Sequence, residues 1–464
     1  MAQRETPRPP EGAGTILGDI VDAAAESAGA SGTPGTAMPR RDSAIGRLLL
    51  ARTRPRILLI LLASLGPGLI AANAGNDAGG IATYATTGAS YGYSLLWVFP
   101  LIIIALAVVQ EMAARMGAAT GKGLSDLIRE NFSIHITTLV MLALFIANAL
   151  TVVTEFLGIS ASVDLVVPNG RFLVLPIAAI IWFMVVRSDY SVVEKVFLAM
   201  TLVFFAYPVS AILAHPNWGE AAHSTVVPTF HGSVGYLLTI AALIGTSITP
   251  YMQVYVQSAI AEKGITARDY LPEKIGVYVG SLFAMLVAAF IVIATAAKLY
   301  PNPNIETAAQ AAQALAPLAG PAAKYLFAVG LFGASMLAAA VLPLATAYSV
   351  TEALGVESGQ SQSFRQAPIF MSLFTGLIAI GAIIAAFIPV SVIKVLFITQ
   401  VIDAVLLPFV LFPIVRLASD RRIMGDLVNG PVYAAIARVA AVIISILALA
   451  VMAGSIGQAL GFGF

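Results

Sequence analysis

Long apolar segments, each about the length of a membrane-crossing helix, follow one another along most of this chain. A helix needs about 20 mainly apolar residues to cross the hydrocarbon core of a bilayer. The pattern predicts eleven such segments, at roughly 57–90, 94–118, 134–164, 170–187, 191–213, 233–262, 275–299, 323–354, 367–388, 391–416 and 431–460. We therefore expect an all-α polytopic membrane protein with eleven transmembrane helices.

The first and the sixth segments are interrupted by residues that disfavour a continuous helix. The first contains GPG at 66–68 and NDAGG at 76–80, and the sixth contains Gly245 and Thr249-Pro250. Breaks at corresponding positions of two halves are typical of inverted-repeat transporters with a binding site at the middle of the membrane. An unwound stretch frees backbone carbonyls, which in hydrocarbon need a partner such as a cation. The alternative is a pair of ordinary Gly/Pro kinks, which are frequent in membrane helices.

Lysine and arginine are distributed unevenly between the two sides of these segments. With the N-terminus inside, 21 of the 25 cationic residues fall on the cytoplasmic side. The four on the other side are Arg171, Lys298, Lys324 and Lys394. This bias predicts a cytoplasmic N-terminus and an external C-terminus. Residues 1–45, rich in Pro, Gly, Ala and Ser, predict a disordered cytoplasmic tail ahead of a transmembrane domain at 46–464.

Composition supports a membrane location and excludes several other functions. Hydrophobic residues make up 59% of the chain and charged residues 11%, whereas soluble domains carry about 25% charged residues. A net charge of +1 indicates no nucleic-acid partner, and the absence of cysteine excludes disulfides, thiolate metal sites and cysteine catalysis. We expect a monomer surrounded by the lipid bilayer of a bacterial-type plasma membrane, with no cofactor.

Asp77, Glu155 and Asp403 lie well inside predicted spans, where charge is costly and usually functional. Asp77 occupies the first break, and a carboxylate beside freed carbonyls makes a hard-oxygen cation site. The alternative is a carboxylate bound to helix N-terminal amides. For Glu155 and Asp403, a functional role and structural pairing with Ser, Thr or Asn both stay open. Glu111 precedes Arg115 by one helical turn, which predicts a local ion pair.

None of the four histidines falls in the middle of a predicted span, which argues against a histidine proton relay through the membrane. His135 begins the third segment, and His215, His223 and His231 precede the sixth. An intramembrane hydrolase would need a His-Glu-x-x-His zinc pair, a Ser/His dyad or paired aspartates in Gly-rich helices. The chain shows none of these patterns, so an enzyme is not expected.

Several stretches resemble the Nramp divalent-metal transporters, and the resemblance extends from about Ile57 to Phe464. They are GPGLIAANAGNDAGGIATYATTGASYGYSLLWV, VVQEMAARMGAATGKGLSDLIRENF, GTSITPYMQVYVQSA and TQVIDAVLLPFVLFPIVRLASDRRIMG. The resemblance implies two inverted five-helix repeats plus one helix, as in leucine-transporter-like proteins. The repeats would span about 57–213 and 233–416, and the extra helix 431–460.

The resemblance also implies a set of metal-site positions, two of which depart from the family pattern. The family reads Asp-Pro-Gly-Asn at the first break and Met-Pro-His at the sixth, where this chain has DAGG at 77–80 and Thr249-Pro250-Tyr251. A slip of one residue would instead bring Met252 to the break. The implied metal positions are Asp77, Ala74, Gly80, Thr246, Thr249 and Gln400. Surrounding positions that can hold water or orient ligands are Asn76, Tyr251, Gln253 and Asp403.

These departures favour a hard ion. Thr249 removes the soft sulfur ligand that suits transition metals, whereas oxygen ligands suit Mg²⁺. Gly80 in place of asparagine shortens a side chain, so we expect an enlarged site. Mg²⁺ tends to keep several waters beside one or two carboxylates, and Asp403 replaces a usually apolar residue and can hold such a water. The pattern resembles the Nramp-related magnesium transporters, which implies Mg²⁺, and also Mn²⁺, as the transported ion.

Groups that would carry protons in the family are missing here. Proton-coupled members have two acidic residues in the third span and histidines in the sixth, where this chain has Phe145 and Val152, and Tyr251 and Gln257. We therefore expect facilitated uptake without proton coupling. Two alternatives stay open, a proton-coupled Mn²⁺ or Fe²⁺ symporter and a carrier of trivalent aluminium, since some plant relatives also have threonine in place of the methionine.

Overall fold

The computed structural model describes residues 75–187, 206–302, 305, 307–313, 320, 323–357 and 364–459. Within these ranges the chain is helical. The helices are α1 Ala78–Tyr91, α2 Val98–Thr120, α3 Leu124–Asn131, α4 Ile134–Val166, α5 Val174–Arg187, α6 Ala206–Leu213, α7 Trp218–Val226, α8 Val234–Ser247, α9 Pro250–Glu262, α10 Tyr270–Leu299, α11 Ala308–Ala312, α12 Ala323–Leu354, α13 Pro368–Phe387, α14 Val392–Ala418, α15 Arg421–Met424 and α16 Pro431–Ala459. Short 3₁₀ helices cover Gly170–Leu173 and Gly425–Leu427. The all-α prediction is confirmed.

In the part of the chain that the structure describes, nine helical segments are long and apolar enough to cross a membrane. They coincide with nine of the eleven predicted segments. The other two predicted segments lie largely outside the described residues, at 57–74 and 191–205, so a total of eleven stays a prediction. The predicted tail and Ala74 also lie outside them.

The sixth segment is broken where the sequence predicts it. Helix α8 ends at Ser247 and α9 begins at Pro250, with Ile248 and Thr249 between them. Proline has no N–H and its fixed φ suits the first position of a helix, so Pro250 both ends one helix and begins the next. In the first segment, α1 begins at Ala78, directly after Asp77. Both helices therefore begin in the middle of a predicted span.

The helices form one bundle whose outer surface is apolar. Helix α4 packs against α12, α13 and α14, and α1 packs against α10 and α14. Large apolar side chains point outwards, including Leu142 at 54%, Ile180 at 61% and Leu449 at 66% exposure. An apolar surface this extensive is typical of contact with lipid. The polar side chains discussed next are buried where α1, α4, α8, α9 and α14 meet.

Candidate functional site

The first break is built around Asp77, which caps α1. The Asp77 side chain accepts a hydrogen bond from the Gly80 N–H, with 2.6 Å between Oδ1 and N, in the manner of an N-cap residue. Its second oxygen, Oδ2, is buried and makes no hydrogen bond within the described residues. The Asn76 side chain points away from α1 and donates to the Ala284 carbonyl at 3.1 Å. One oxygen of Asp77 thus caps α1, while the other is buried and takes no part in the cap.

The sixth break presents a neutral oxygen at the corresponding place. Thr249 is the N-cap residue of α9 and has extended backbone angles, but its side chain makes no capping hydrogen bond. The Thr249 hydroxyl is buried and has no well-formed hydrogen bond within the described residues. The Tyr251 side chain lies close enough to interact with both Asp77 and Thr249. The two breaks therefore share one pocket of oxygen atoms.

Hydroxyl groups tie the two breaks together. The Gly75 carbonyl accepts hydrogen bonds from the Thr246 hydroxyl at 3.3 Å and from the Tyr84 hydroxyl at 3.5 Å. The Tyr84 hydroxyl also lies 3.4 Å from the Ser247 hydroxyl. A carbonyl freed at the first break is thus satisfied by side chains from α1 and α8, as a backbone group in a membrane must be.

The space beside Gly80 is filled rather than open. A Cβ atom at this position would lie 2.6 Å from the Gly75 carbonyl oxygen and 2.9 Å from the Thr246 hydroxyl. The expectation that Gly80 enlarges the site is therefore wrong for this conformation, because the backbone of the first break and Thr246 occupy that space. Gly80 itself contributes an N–H to Asp77 rather than a side-chain oxygen.

Helix α14 adds Gln400. Its amide group lies directly against Gly79, where any side chain would collide with it. Both polar atoms of the Gln400 amide are buried and make no hydrogen bond within the described residues, and the same holds for Gln253 on α9. Helix α14 can pack closely against α8 because Gly245 on α8 has no side chain. A Cβ atom at Gly245 would collide with the Gln400 carbonyl oxygen. Unpaired buried amides are costly and favour a polar ligand.

Two further carboxylates surround the first break. Glu155 on α4 accepts a hydrogen bond from the Ala78 N–H at 3.1 Å, so it binds the first turn of α1 beside Asp77. Asp403 on α14 accepts from the Thr151 hydroxyl at 3.1 Å. The sequence had left both residues between functional and structural roles, and these contacts are those of structural pairing. Each carboxylate still has one buried oxygen without a hydrogen bond within the described residues.

The expected ion pair between Glu111 and Arg115 is confirmed. The two side chains approach to 3.3 Å, and Arg115 also donates to the Leu427 carbonyl at 2.8 Å and to Asn429. These contacts join α2 to the segment before α16, away from the two breaks.

The sulfur of Met252, a soft ligand close to the sixth break, is engaged by another side chain. Met252 is buried, and its sulfur accepts a hydrogen bond from the Gln110 amide of α2 at 3.6 Å. The break therefore contains Thr249, and Met252 lies within α9. The four histidines are exposed. Among the described residues no group of three or more His, Cys, Asp or Glu side chains could hold a metal, so a cation here would need neutral oxygens beside Asp77.

The pocket is closed to solvent. Asn76, Asp77, Thr246, Thr249, Gln253 and Gln400 are 0% exposed, and Tyr251 and Asp403 are 1% exposed. The structure buries all of these predicted positions. Contacts join Asp77 to Tyr251, the Gly75 carbonyl to Thr246, and Gly79 to Gln400, whereas the Asn76 side chain binds α10 instead. Loading and release of a ligand therefore require helices to move, which is the property of an alternating-access transporter.

A helix that is broken at mid-span and a second helix that begins at mid-span bring buried polar groups together inside a bundle with an apolar surface. This arrangement is that of the leucine-transporter-like fold. Solved structures agree. The manganese transporter of Eremococcus coleocola superposes with a TM-score of 0.70, at 18% identity, over 88% of this chain and 90% of that one. MhsT in complex with L-phenylalanine superposes with a TM-score of 0.56, at 13% identity, over 83% and 98%. These likenesses confirm the predicted fold class.

Sequence comparison identifies the family. Residues 68–454 match the family model described as natural resistance-associated macrophage protein-like, or Nramp. A protein of Deinococcus radiodurans named divalent metal cation transporter MntH is 30% identical over 418 residues, which cover 87% of this chain and 92% of the relative. The chain belongs to the Nramp family, and it is a transporter rather than an enzyme.

Proposed function

We propose that this protein carries Mg²⁺, and also Mn²⁺, across the membrane by facilitated transport without proton coupling. The observation that carries the proposal is the state of two side chains at the start of α9, those of Thr249 and Met252. Thr249 offers a buried hydroxyl there, while the sulfur of Met252 is bound to Gln110 of α2. Oxygen ligands suit Mg²⁺, whereas sulfur would favour softer ions.

The ion in this proposal is held by one charge and several neutral oxygens. Asp77 supplies the charge through Oδ2, and Thr246, Thr249 and Gln400 supply neutral oxygens with backbone carbonyls of the first break, including Ala74. Asn76, Tyr251, Gln253 and Asp403 orient these groups or hold waters of the ion. Mg²⁺ commonly binds proteins through one or two carboxylates and keeps several waters, which fits this donor set.

The absence of proton coupling is supported by the residues at the positions expected to carry protons. Val152 is apolar and buried, and Phe145 is 38% exposed on the outer surface of α4. Gln257 donates to the Lys122 carbonyl at 3.1 Å, near the end of α2 and away from the breaks. A divalent ion gains about 4–5 kcal/mol on crossing 100 mV, so uptake needs no second ion.

The proposal includes the wider arrangement of the chain. Two repeats at about 57–213 and 233–416 would rock around the breaks, and the helix at 431–460 would lie outside them. The bias of lysine and arginine supports a cytoplasmic N-terminus and an external C-terminus in a bacterial-type plasma membrane. We assign the monomer as the transporting unit, because each chain contains both breaks.

A second function, proton-coupled Mn²⁺ transport, is supported by different observations. The Deinococcus radiodurans relative is named MntH, and the Eremococcus coleocola structure is that of a manganese transporter. Glu155 and Asp403 also place two buried carboxylates near Asp77, each with an oxygen outside any hydrogen bond within the described residues. Such groups can accept a proton when the cation binds.

Uptake into proteoliposomes separates the two functions. The purified protein is reconstituted with one dye for Mg²⁺ or Mn²⁺ and another for internal pH, under a negative internal potential. The proposal predicts Mg²⁺ uptake without acidification, and no uptake in Asp77→Asn or protein-free vesicles. Acidification that requires the metal and scales with its uptake, together with exclusion of Mg²⁺, would instead establish the symporter.

A further inference from the structure

A groove of about 770 Å³ opens on the outer surface between α4, α14 and α16. Its walls are apolar side chains from the first turns of α4, the last turns of α14 and the first turns of α16. Leu139 and Phe412 are each 51% exposed and Val442 is 47% exposed. The groove therefore faces the hydrocarbon of the membrane.

The lining of this groove includes two positive charges. Arg416 and Arg438 line it together with Ser419, and no acidic residue does. Neither arginine forms an ion pair within the described residues. The Arg416 guanidinium lies 5.9 Å from the centre of the Phe132 ring and is near enough to Asp420 to interact with its charge. Asp420, which follows Ser419 in the chain, forms its ion pair with Arg422, at 2.8 Å. Two guanidinium groups at the edge of an apolar groove are complementary to an anion that carries hydrocarbon.

The length of the groove matches one leaflet of a bilayer. On α14 its lining extends from Pro408 to Ser419, which at 1.5 Å per residue is about 16 Å. Half of the hydrocarbon core is about 15 Å thick. Arg416 lies near the end of α14, on the side that the lysine and arginine bias predicts to be cytoplasmic. With the Arg416 end placed at the level of the lipid headgroups, the apolar part of the groove lies at the level of the acyl chains.

A second groove on α16 provides a comparison within the same molecule. It has a volume of about 420 Å³, lies between α2, α8 and α16, and has no charged residue in its lining. Any lipid chain can cover such a surface without selectivity. The groove between α4, α14 and α16 differs from it by combining a leaflet-long apolar wall with two arginines.

We propose that this groove binds one anionic diacyl glycerophospholipid. Its phosphate lies between Arg416 and Arg438, where guanidinium groups bind phosphate oxygens in pairs, and an acyl chain lies along Phe412 and Leu139. Since α14 also carries Gln400 and Asp403, the lipid is held by the helix that contributes to the buried pocket. Basic pockets between membrane helices are known to bind anionic headgroups.

Native mass spectrometry of the full-length protein tests this site, with phosphatidylglycerol as the anionic probe and phosphatidylcholine as the zwitterionic one. We expect at least about fivefold preferential retention of phosphatidylglycerol. Arg416→Gln should lower the retention of phosphatidylglycerol about fivefold, and so should Arg438→Gln. One cationic residue contributes ~1 kcal/mol to the binding of anionic lipid, and this energy corresponds to a factor of about five in affinity. Arg416→Lys should retain more phosphatidylglycerol than Arg416→Gln, because it keeps the charge.

Two further variants separate the groove from general surface charge. Arg421→Gln removes the same charge from α15, outside the groove lining, and should change retention less than twofold. Val442→Trp fills the groove, leaves both arginines in place and should also reduce retention. Equal retention of the two lipids by the wild type overturns the proposal, and so does a protein dimer that excludes lipid. An effect of Arg421→Gln as large as that of Arg438→Gln would do the same.

Discussion

The two helix breaks lie close together, yet they differ in the chemistry and in the use of their N-cap residue. Asp77 has a carboxyl group that is already engaged, since Oδ1 accepts the Gly80 N–H at 2.6 Å. Thr249 has a hydroxyl group that takes no part in capping α9. One break therefore has a carboxyl group held in place, and the other has an oxygen that can adapt to a ligand.

This difference indicates that the two residues have different roles in ion binding. A carboxylate held by a helix N-terminus is oriented before the ion arrives, and the helix dipole stabilises its charge. A threonine hydroxyl that is not used for capping can rotate to meet an ion or one of its waters. We therefore expect Asp77 to determine whether a divalent ion binds and Thr249 to determine which ion is preferred.

The largest effect is expected from removing the charge at the first break. Asp77→Asn keeps an oxygen that can cap α1, whereas Asp77→Ala removes both the cap and the charge. Both should lower Mg²⁺ uptake at least about 100-fold, equivalent to ~2.8 kcal/mol. Only Asp77→Ala should also lower the free energy of unfolding, by ~1 kcal/mol. Uptake and thermal unfolding in detergent measure the two effects, and normal uptake by either variant would refute the assignment of Asp77.

The next effect concerns the close contact between the breaks. In Gly80→Ala the new Cβ would meet the Gly75 carbonyl and the Thr246 hydroxyl, so the breaks should be forced apart at a cost of ~1–3 kcal/mol. We expect Mg²⁺ uptake to fall about tenfold, as 1.4 kcal/mol corresponds to one factor of ten.

Gly376→Ala on α13 is the matched control, since nothing lies within 4 Å of its added Cβ. It should transport normally. If both glycine variants behave like the wild type in uptake and thermal unfolding, the tight packing of the breaks has no role in transport.

A smaller effect, on selectivity, is expected at the sixth break. Thr249→Met places a thioether beside Asp77 and should raise the ratio of Mn²⁺ to Mg²⁺ uptake about tenfold, because sulfur favours softer ions. Thr249→Val has a similar shape without the oxygen and should weaken both ions alike. Competition between the two ions in the uptake assay gives the ratio. An unchanged ratio in Thr249→Met would mean that the sixth break does not select the ion.

The smallest effect is expected at Glu155. Glu155→Gln keeps an oxygen that can accept from the Ala78 N–H, so α1 stays in place. Without proton coupling, uptake should stay within about threefold of the wild type, well under the ~1.4 kcal/mol of a tenfold change. Its dependence on external pH should not change either. Loss of a pH dependence present in the wild type would favour the proton-coupled alternative.

The sequence was sufficient for the nine long apolar helical segments and for the position of the sixth break. Apolar length predicts the spans, and Pro250 marks the first residue of α9 because proline favours that position. The short helices α3 and α7 were not predicted, since they contain only 8 and 9 residues and are not continuously apolar. Hydropathy alone does not detect such helices.

Long-range contacts of the pocket could not be predicted from the sequence. Glu155 accepts a hydrogen bond from the Ala78 N–H, which is 77 positions away in the chain. This contact forms only because α4 packs beside the start of α1. The direction of the Met252 sulfur depends on the rotation of α9 against α2. For Gly80, the sequence predicted a larger site because it shows a missing side chain but not the neighbours that fill its place. A face of α4 that carries Asn148, Thr151 and Glu155 at helical spacing was a usable signal.

The most direct measurement of the central claim is the position of a bound ion. Mn²⁺ can be located by its anomalous X-ray scattering in crystals of the wild type, and Mg²⁺ should displace it. The account predicts a single ion within about 5 Å of Asp77 Oδ2, directly bound or through one water, with oxygen ligands from both breaks. An ion bound by the Met252 sulfur, or one that leaves Asp77 without contact, would contradict it.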